Sequence, residues 1–99
     1  MYWVVHCLDA PGTLELRAQH RPAHSAHLTQ GPVRPVLVGP LLAGDGITPL
    51  GSLLVFAAAD RGAVERWVAE DPFTIAGVWH QVRIDAFIPS AKTPVAEPV

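Results

Sequence analysis

The residues best suited to chemistry are concentrated between positions 17 and 27, where two arginines and three histidines occur. Arg17, Arg21, His24 and Leu28 are spaced by four, three and four residues, which places them on one face of a continuous helix. An imidazole on that face could take up a proton near neutral pH. A guanidinium there could hold a carboxylate or phenolate through two hydrogen bonds. The alternative is a solvated helix face whose arginines make only surface ion pairs.

The three histidines, His20, His24 and His27, also suggest a metal site, but their surroundings argue against one. Zinc needs three or four ligands in good geometry, and no Cys or Glu is spaced to complete such a set. Pro22 also disturbs the alignment of His20 with His24. The sequence lacks a phosphate-binding glycine loop, a dinucleotide fingerprint and a Cys-x-x-Cys pair. We therefore expect no metal and no cofactor, so that any reaction would be acid–base chemistry.

Ser52 places a hydroxyl inside an apolar segment that has no general base beside it. A nucleophilic serine would need the Gly-x-Ser-x-Gly turn, which is absent. A hydrogen bond to a ligand and ordinary strand packing both remain open for this residue. Together with Arg17 and Arg21, Ser52 is a candidate substrate-binding residue.

Alternating and helical apolar patterns, broken by Gly and Pro, predict the elements that must position these side chains. Pro22 predicts either a kink in the first helix or a fresh helix that starts there. Thr13, Asp60 and Asp71 are expected helix caps. The predicted order is a strand over residues 2–8, a helix over 13–30, strands over 36–42 and 51–58, a helix over 60–70, a short turn over 73–76 and a strand over 78–88.

The order β-α-β-β-α-β predicts an α+β fold of the ferredoxin-like kind, with two helices on one face of an antiparallel sheet. No predicted segment remains to cover the opposite face, so we expect a homodimer that packs sheet to sheet. Residues 1–88 are expected to form the single domain. Residues 89–99 contain three prolines and no periodic pattern, which predicts a flexible tail.

Composition narrows the classes of partner. The 99 residues carry a formal net charge of −2 without a basic run, which argues against nucleic acid. No apolar stretch approaches the roughly 20 residues needed to span a bilayer, and the N-terminus lacks the features of a signal peptide. The single cysteine, Cys7, lies in an apolar run and suits a reducing compartment. We expect a cytoplasmic protein whose partners are a small molecule and its own second copy.

Three segments in the right order resemble the YciI-like family, a set of small dimeric α+β-barrel proteins. The first is Arg17…Arg21-Pro22-Ala23-His24. The others are Gly39-Pro40-Leu41 followed by Gly51-Ser52-Leu53, and Asp71-Pro72-Phe73…Gly77-Val78. The resemblance covers about residues 2–88. Where relatives often carry Leu directly after the motif histidine, this chain has Ser25.

The resemblance implies that His24 and Asp71 pair in a pocket and form the catalytic dyad. His27 competes for the histidine role, but only His24 fits the Arg-Pro-x-His pattern. At least one relative is a dehydrochlorinase, which implies a cofactor-independent lyase, isomerase or dehydrochlorinase acting on a small polar or aromatic substrate. The alternatives are a ligand-binding module with the same pocket and no turnover, and a dimerisation module whose motif residues serve folding. If the pair does not form, Asp71 only caps a turn and His24 is an ordinary surface residue.

Overall fold

A computed structural model of the protein describes residues 1–92 and confirms the predicted order of elements. The short turn predicted over residues 73–76 is the helix α3. Residues 89–92 follow the last strand as exposed coil and turn, and the remainder of the predicted tail lies outside the described residues. The elements are β1 (Tyr2–Asp9), α1 (Leu14–His27), β2 (Arg34–Leu42), β3 (Pro49–Ala57), α2 (Arg61–Glu70), α3 (Pro72–Ile75) and β4 (Trp79–Phe87).

The four strands form one antiparallel sheet in the order β2-β3-β1-β4. This is the order of a ferredoxin-like fold, and it confirms the predicted fold class. β2 and β3 form an antiparallel hairpin, and β1 lies between β3 and β4. The sequence-predicted strand ends lie within two residues of the observed ones.

The hydrophobic core fills the space between the sheet and the helices. Alternate side chains of β1 and β3 are buried, among them Val5, Cys7, Leu54 and Phe56. Trp67 packs against Phe56 with ring centroids 4.6 Å apart. Because a strand turns successive side chains to opposite faces, one face of β1 and of β3 lies in this core and the other faces away from the helices.

Helix α1 continues through Pro22 without interruption, so the alternative prediction of a fresh helix at Pro22 is wrong. Proline removes one helical hydrogen bond and crowds the carbonyl of the residue four positions earlier, here Ala18. Both Pro22 and Ala18 are exposed, so water can satisfy that carbonyl. The Thr13 hydroxyl donates to the Ala10 carbonyl at 2.6 Å and caps no helical N–H. The other two predicted caps are confirmed, since Asp60 accepts from Ala63 N and Asp71 from Phe73 N.

The close approach of β1 to β3 depends on Gly51, which pairs with Leu8 in register. A Cβ atom at Gly51 would collide with the carbonyl oxygen of Cys7 and lie 3.2 Å from Leu8 Cα. The neighbouring pair is Cys7 with Ser52. Gly51 therefore sets where Ser52 sits relative to the central strand.

The second face of the sheet is apolar in its middle. Leu37, Val55 and Val4 stand in register across β2, β3 and β1. Leu37 is 53% exposed, and within residues 1–92 no helix covers this face.

A helix that spans a membrane must be long and apolar, and residues 1–92 contain none that meets both conditions.

Replacing Gly51 with Ala is predicted to destabilise the fold by at least about 1–3 kcal/mol, because the added methyl overpacks two backbones that cannot separate without breaking register. Gly39→Ala is the matched control, since a Cβ there meets nothing within 4 Å. Its expected effect is within about 0.5 kcal/mol. Urea unfolding of the parent and both variants measures the difference. Equal midpoints for the two variants would contradict this account of Gly51.

Candidate active site

His24 and Asp71 form a buried hydrogen-bonded pair between α1 and the start of α3. His24 Nδ1 lies 2.8 Å from Asp71 Oδ2 and 3.0 Å from Oδ1. An ionised carboxylate can only accept hydrogen bonds, so Nδ1 carries the proton and donates it to Asp71. This leaves Nε2 with its lone pair free, and within the described residues Nε2 has no hydrogen-bond partner. A neutral imidazole held in this tautomer can act as a general base.

Asp71 is placed by the local sequence as well as by His24. Its side chain is fully buried, and Oδ1 accepts a 2.8 Å hydrogen bond from Phe73 N. Pro72 follows at the first helical position, where its missing N–H costs nothing. Asp71 therefore both caps α3 and holds His24, which unites the two roles that the sequence offered as alternatives.

Aromatic rings enclose the imidazole. Phe73 stacks on His24 with centroids 4.3 Å apart and planes 14° apart. Trp79 and Trp67 meet His24 edge-on at 5.5 and 6.3 Å. These contacts fix the plane of the ring and surround it with apolar groups, and the low local dielectric strengthens its hydrogen bond to Asp71.

A second set of hydrogen bonds links Asp9, Arg17 and Ser52. Arg17 Nη1 donates to both oxygens of Asp9 at 2.9 and 3.0 Å, and Arg17 Nη2 donates to Ser52 Oγ at 3.0 Å. The Arg17 guanidinium also lies 4.8 Å from the centroid of the Phe73 ring, a cation–π contact. Arg17 is buried, so its charge depends on Asp9 rather than on water.

A cavity of about 450 Å³ brings the sequence-predicted residues together. Arg17, Arg21, His24 and Ser52 all line it, together with Phe73. Its volume is within the range of small-molecule sites. Most of its remaining wall is apolar and comes from α1, β2 and β3.

His27 has a different role from His24. Its Nε2 lies 2.9 Å from the carbonyl of Trp67, and the Trp67 indole N–H donates to the His27 carbonyl at 3.0 Å. Because a carbonyl only accepts, Nε2 must donate, and His27 ties α1 to α2. His20 lies outside the cavity lining. Among residues 1–92 no three His, Cys, Asp or Glu side chains are grouped to hold a metal ion.

Sequence reasoning missed two residues of the site, Asp9 and Phe73. The sequence indicated only that Asp9 ends a strand. Its pairing with Arg17 depends on the packing of α1 against β1, which no sequence pattern predicted. Phe73 belongs to the Asp71-Pro72-Phe73 segment, but nothing in the sequence indicated its contact with His24.

Cys7 lies next to the site, and burial, with the nearby Asp71 and Asp9 carboxylates, raises its thiol pKa to about 12.

Comparison with known proteins gives consistent matches. The sequence profile of the YCII-related domain matches residues 1–88. The chain is 34% identical to an uncharacterized protein of Haemophilus influenzae and 31% identical to protein YciI of Escherichia coli, in both cases over 88% of this chain and 96% of the relative. The 5-chloro-2-hydroxyhydroquinone dehydrochlorinase of Burkholderia phenoliruptrix, solved with 2,5-dihydroxybenzoquinone, is 27% identical. Its TM-score is 0.80, and the match covers 91% of this chain and 96% of the dehydrochlorinase.

Replacing Asp9 with Asn is predicted to destabilise the protein by about 3–5 kcal/mol, because it leaves the buried Arg17 charge uncompensated. Glu65→Gln is the control, since the same chemical change there removes an ion pair whose side chains are 51% and 57% exposed. That change is expected to cost about 0–1 kcal/mol. Guanidinium unfolding at neutral pH compares the two variants. A loss of similar size in both would contradict a structural role for the Asp9–Arg17 pair.

Proposed function

The chain belongs to the YCII-related domain family, and from that premise we propose that it is a cofactor-independent enzyme of the lyase, isomerase or dehydrochlorinase type. The observation that carries the proposal is the 2.8 Å contact of His24 Nδ1 with the fully buried Asp71. His24 is the general base, and Asp71 is the partner that orients it. The 27% identical dehydrochlorinase of the same fold supports this class of reaction.

The proposed chemistry begins with proton transfer to His24 Nε2 from a phenol or an activated carbon. Asp71 accepts from Nδ1–H throughout and stabilises the imidazolium that forms. In an elimination from the keto tautomer of a chlorinated hydroxyhydroquinone, the chlorine-bearing carbon already carries the hydrogen that moved to it from a phenol oxygen. The electron pair of the second broken O–H bond then forms C=O, the adjacent ring double bond moves to the chlorine-bearing carbon, and chloride leaves with the electron pair of the C–Cl bond. No electrons are gained or lost by the protein, so His24, Asp71 and a shaped cavity suffice for this step.

The proposed substrate is small, polar and planar. The cavity of about 450 Å³ is lined largely by apolar side chains, such as Leu54 and Val38, with a few polar groups. Arg21 lies on its wall and is exposed, so it can meet a substrate anion that enters from solvent. A hydroxylated aromatic ring matches both features.

We also propose that the working form is a homodimer in the cytoplasm, with the open sheet faces packed against each other. The row of Leu37, Val55 and Val4 is an apolar surface in the middle of a sheet. A second copy offers the same apolar face, which is the arrangement of a two-fold interface. A domain of this size also gains stability from such burial. The absence of any disulfide partner for Cys7 supports a reducing location.

The catalytic proposal predicts that the parent protein releases chloride from 5-chloro-2-hydroxyhydroquinone. His24→Gln and Asp71→Asn should each lower kcat by about 10²–10⁴-fold, the usual contribution of a positioned general base. His20→Gln is the control, because it removes an imidazole from the same helix but outside the cavity. A chloride electrode or ion chromatography follows the reaction. Binding of the substrate without chloride release would favour a ligand-binding module, and full activity in His24→Gln would exclude the proposed base.

The dimer proposal predicts a mass near twice 10.6 kDa by light scattering at micromolar concentration. Val55→Lys places a charge in the centre of the apolar row and should give a folded monomer. Ala69→Lys adds the same charge on the exposed side of α2 and should remain dimeric. A monomeric parent, or a dimer that survives Val55→Lys, would count against sheet-to-sheet pairing.

A further inference from the structure

The cavity wall is rich in hydrogen-bond donors and lacks acidic groups. Arg17, Arg21 and Ser52 line it beside His24, whereas no Asp or Glu of the described residues does. Asp9 and Asp71, which neutralise charge at the site, are behind the wall rather than on it. A wall of this kind favours a ligand with negatively charged oxygen atoms.

Arg17 determines the direction of the hydrogen bond at Ser52. A guanidinium has donors and no acceptor, so Ser52 Oγ must accept the 3.0 Å bond from Arg17 Nη2. The hydroxyl hydrogen of Ser52 is therefore left to donate. Within residues 1–92 no acceptor receives it, although Ser52 is only 2% exposed. A buried donor of this kind is normally satisfied, and the space available to a partner is the cavity.

The position of this donor is fixed in advance of ligand binding. Asp9 holds Arg17 through both carboxylate oxygens, and the Phe73 ring contacts the guanidinium. Gly51 sets the close approach of β3 to β1 on the other side of Ser52. A donor that is already oriented binds more strongly, because little freedom is lost when the ligand arrives.

We propose that the Ser52 hydroxyl donates a hydrogen bond to an anionic oxygen of the ligand, a phenolate or an enolate, while His24 Nε2 acts on the same molecule. Arg17 is the positioning residue that makes Ser52 a donor, and Arg21 adds positive charge to the wall. This assignment rests on the proposed function insofar as the ligand occupies the cavity that His24 lines. Under this proposal, Ser52 favours ligands that carry an anionic acceptor oxygen over similar rings without one.

The test uses two probes, 2,5-dihydroxy-1,4-benzoquinone, which is anionic at neutral pH, and 2,5-dimethoxy-1,4-benzoquinone, which cannot ionise. Isothermal titration calorimetry gives the affinity of each for the parent protein. The parent should bind the anion and strongly prefer it. Ser52→Ala should weaken binding of the anion by about 10- to 100-fold, as expected when a hydrogen bond to a charged group is lost. Binding of the dimethoxy compound should change little.

Ser25→Ala is the matched control, because it removes a hydroxyl from the same cavity that no arginine orients. It should alter affinity for the anion by less than about threefold, a size typical of a surface substitution. In an Arg17→Lys background, Ser52→Ala should cost distinctly less than in the parent, since lysine keeps a charge for Asp9 but loses the second arm that reaches Ser52. Thermal unfolding confirms that each variant is folded.

The proposal is overturned if the parent fails to bind the anion, if Ser52→Ala binds it as the parent does, or if Ser25→Ala loses as much affinity. It is also overturned if the cost of Ser52→Ala is unchanged by Arg17→Lys. Failure of the enzyme proposal has a separate signature. A parent that binds the anion through Ser52 but releases no chloride contradicts catalysis and supports the assignment of Ser52.

Discussion

Asp71 has no exposed surface, so its negative charge depends on the hydrogen bonds that neighbouring groups donate to it. Burying an unpaired carboxylate is prohibitively unfavourable, and two donors meet this one. Phe73 N donates to Oδ1, and His24 Nδ1 contacts both oxygens. One donor lies at the start of α3 and the other near the end of α1. The carboxylate therefore fastens the two helices together and at the same time defines which nitrogen of His24 is free.

The hydrogen bonds that join Asp9, Arg17 and Ser52 also neutralise a buried charge and connect separate elements. A buried arginine is satisfied by a carboxylate on β1 and a hydroxyl on β3, so the helix, the central strand and its neighbour are linked by charge-assisted hydrogen bonds. Phe73 contacts both Arg17 and His24. The site is thus a continuous assembly of polar chains and rings, in which the groups that face the cavity are held by groups that do not.

The sequence predicted the order of elements because each is bounded by a strong local signal. Asp60 and Asp71 cap helices, Pro72 starts one, and the residue types of the central strands favour sheet structure. The alternative of a fresh helix at Pro22 was wrong, because Pro22 lies at an exposed position where α1 continues through it. Contacts between distant residues were less accessible. The pairing of His24 with Asp71 spans 47 positions and was reached only through resemblance to a family. The pairing of Arg17 with Asp9 crosses a turn and has no local pattern, and the exchange of hydrogen bonds between His27 and Trp67 gave no sequence signal.

The central claim, that Asp71 holds His24 in the Nδ1–H tautomer with Nε2 free, is tested most directly by a long-range ¹H–¹⁵N NMR correlation of the histidine rings. Free imidazole side chains prefer the Nε2–H tautomer, so the two states are distinguishable. The account predicts that neutral His24 shows the Nδ1–H pattern in the parent and loses it in Asp71→Asn. An Nε2–H pattern for His24 in the parent would contradict the account, because the nitrogen assigned as the base would then carry the proton.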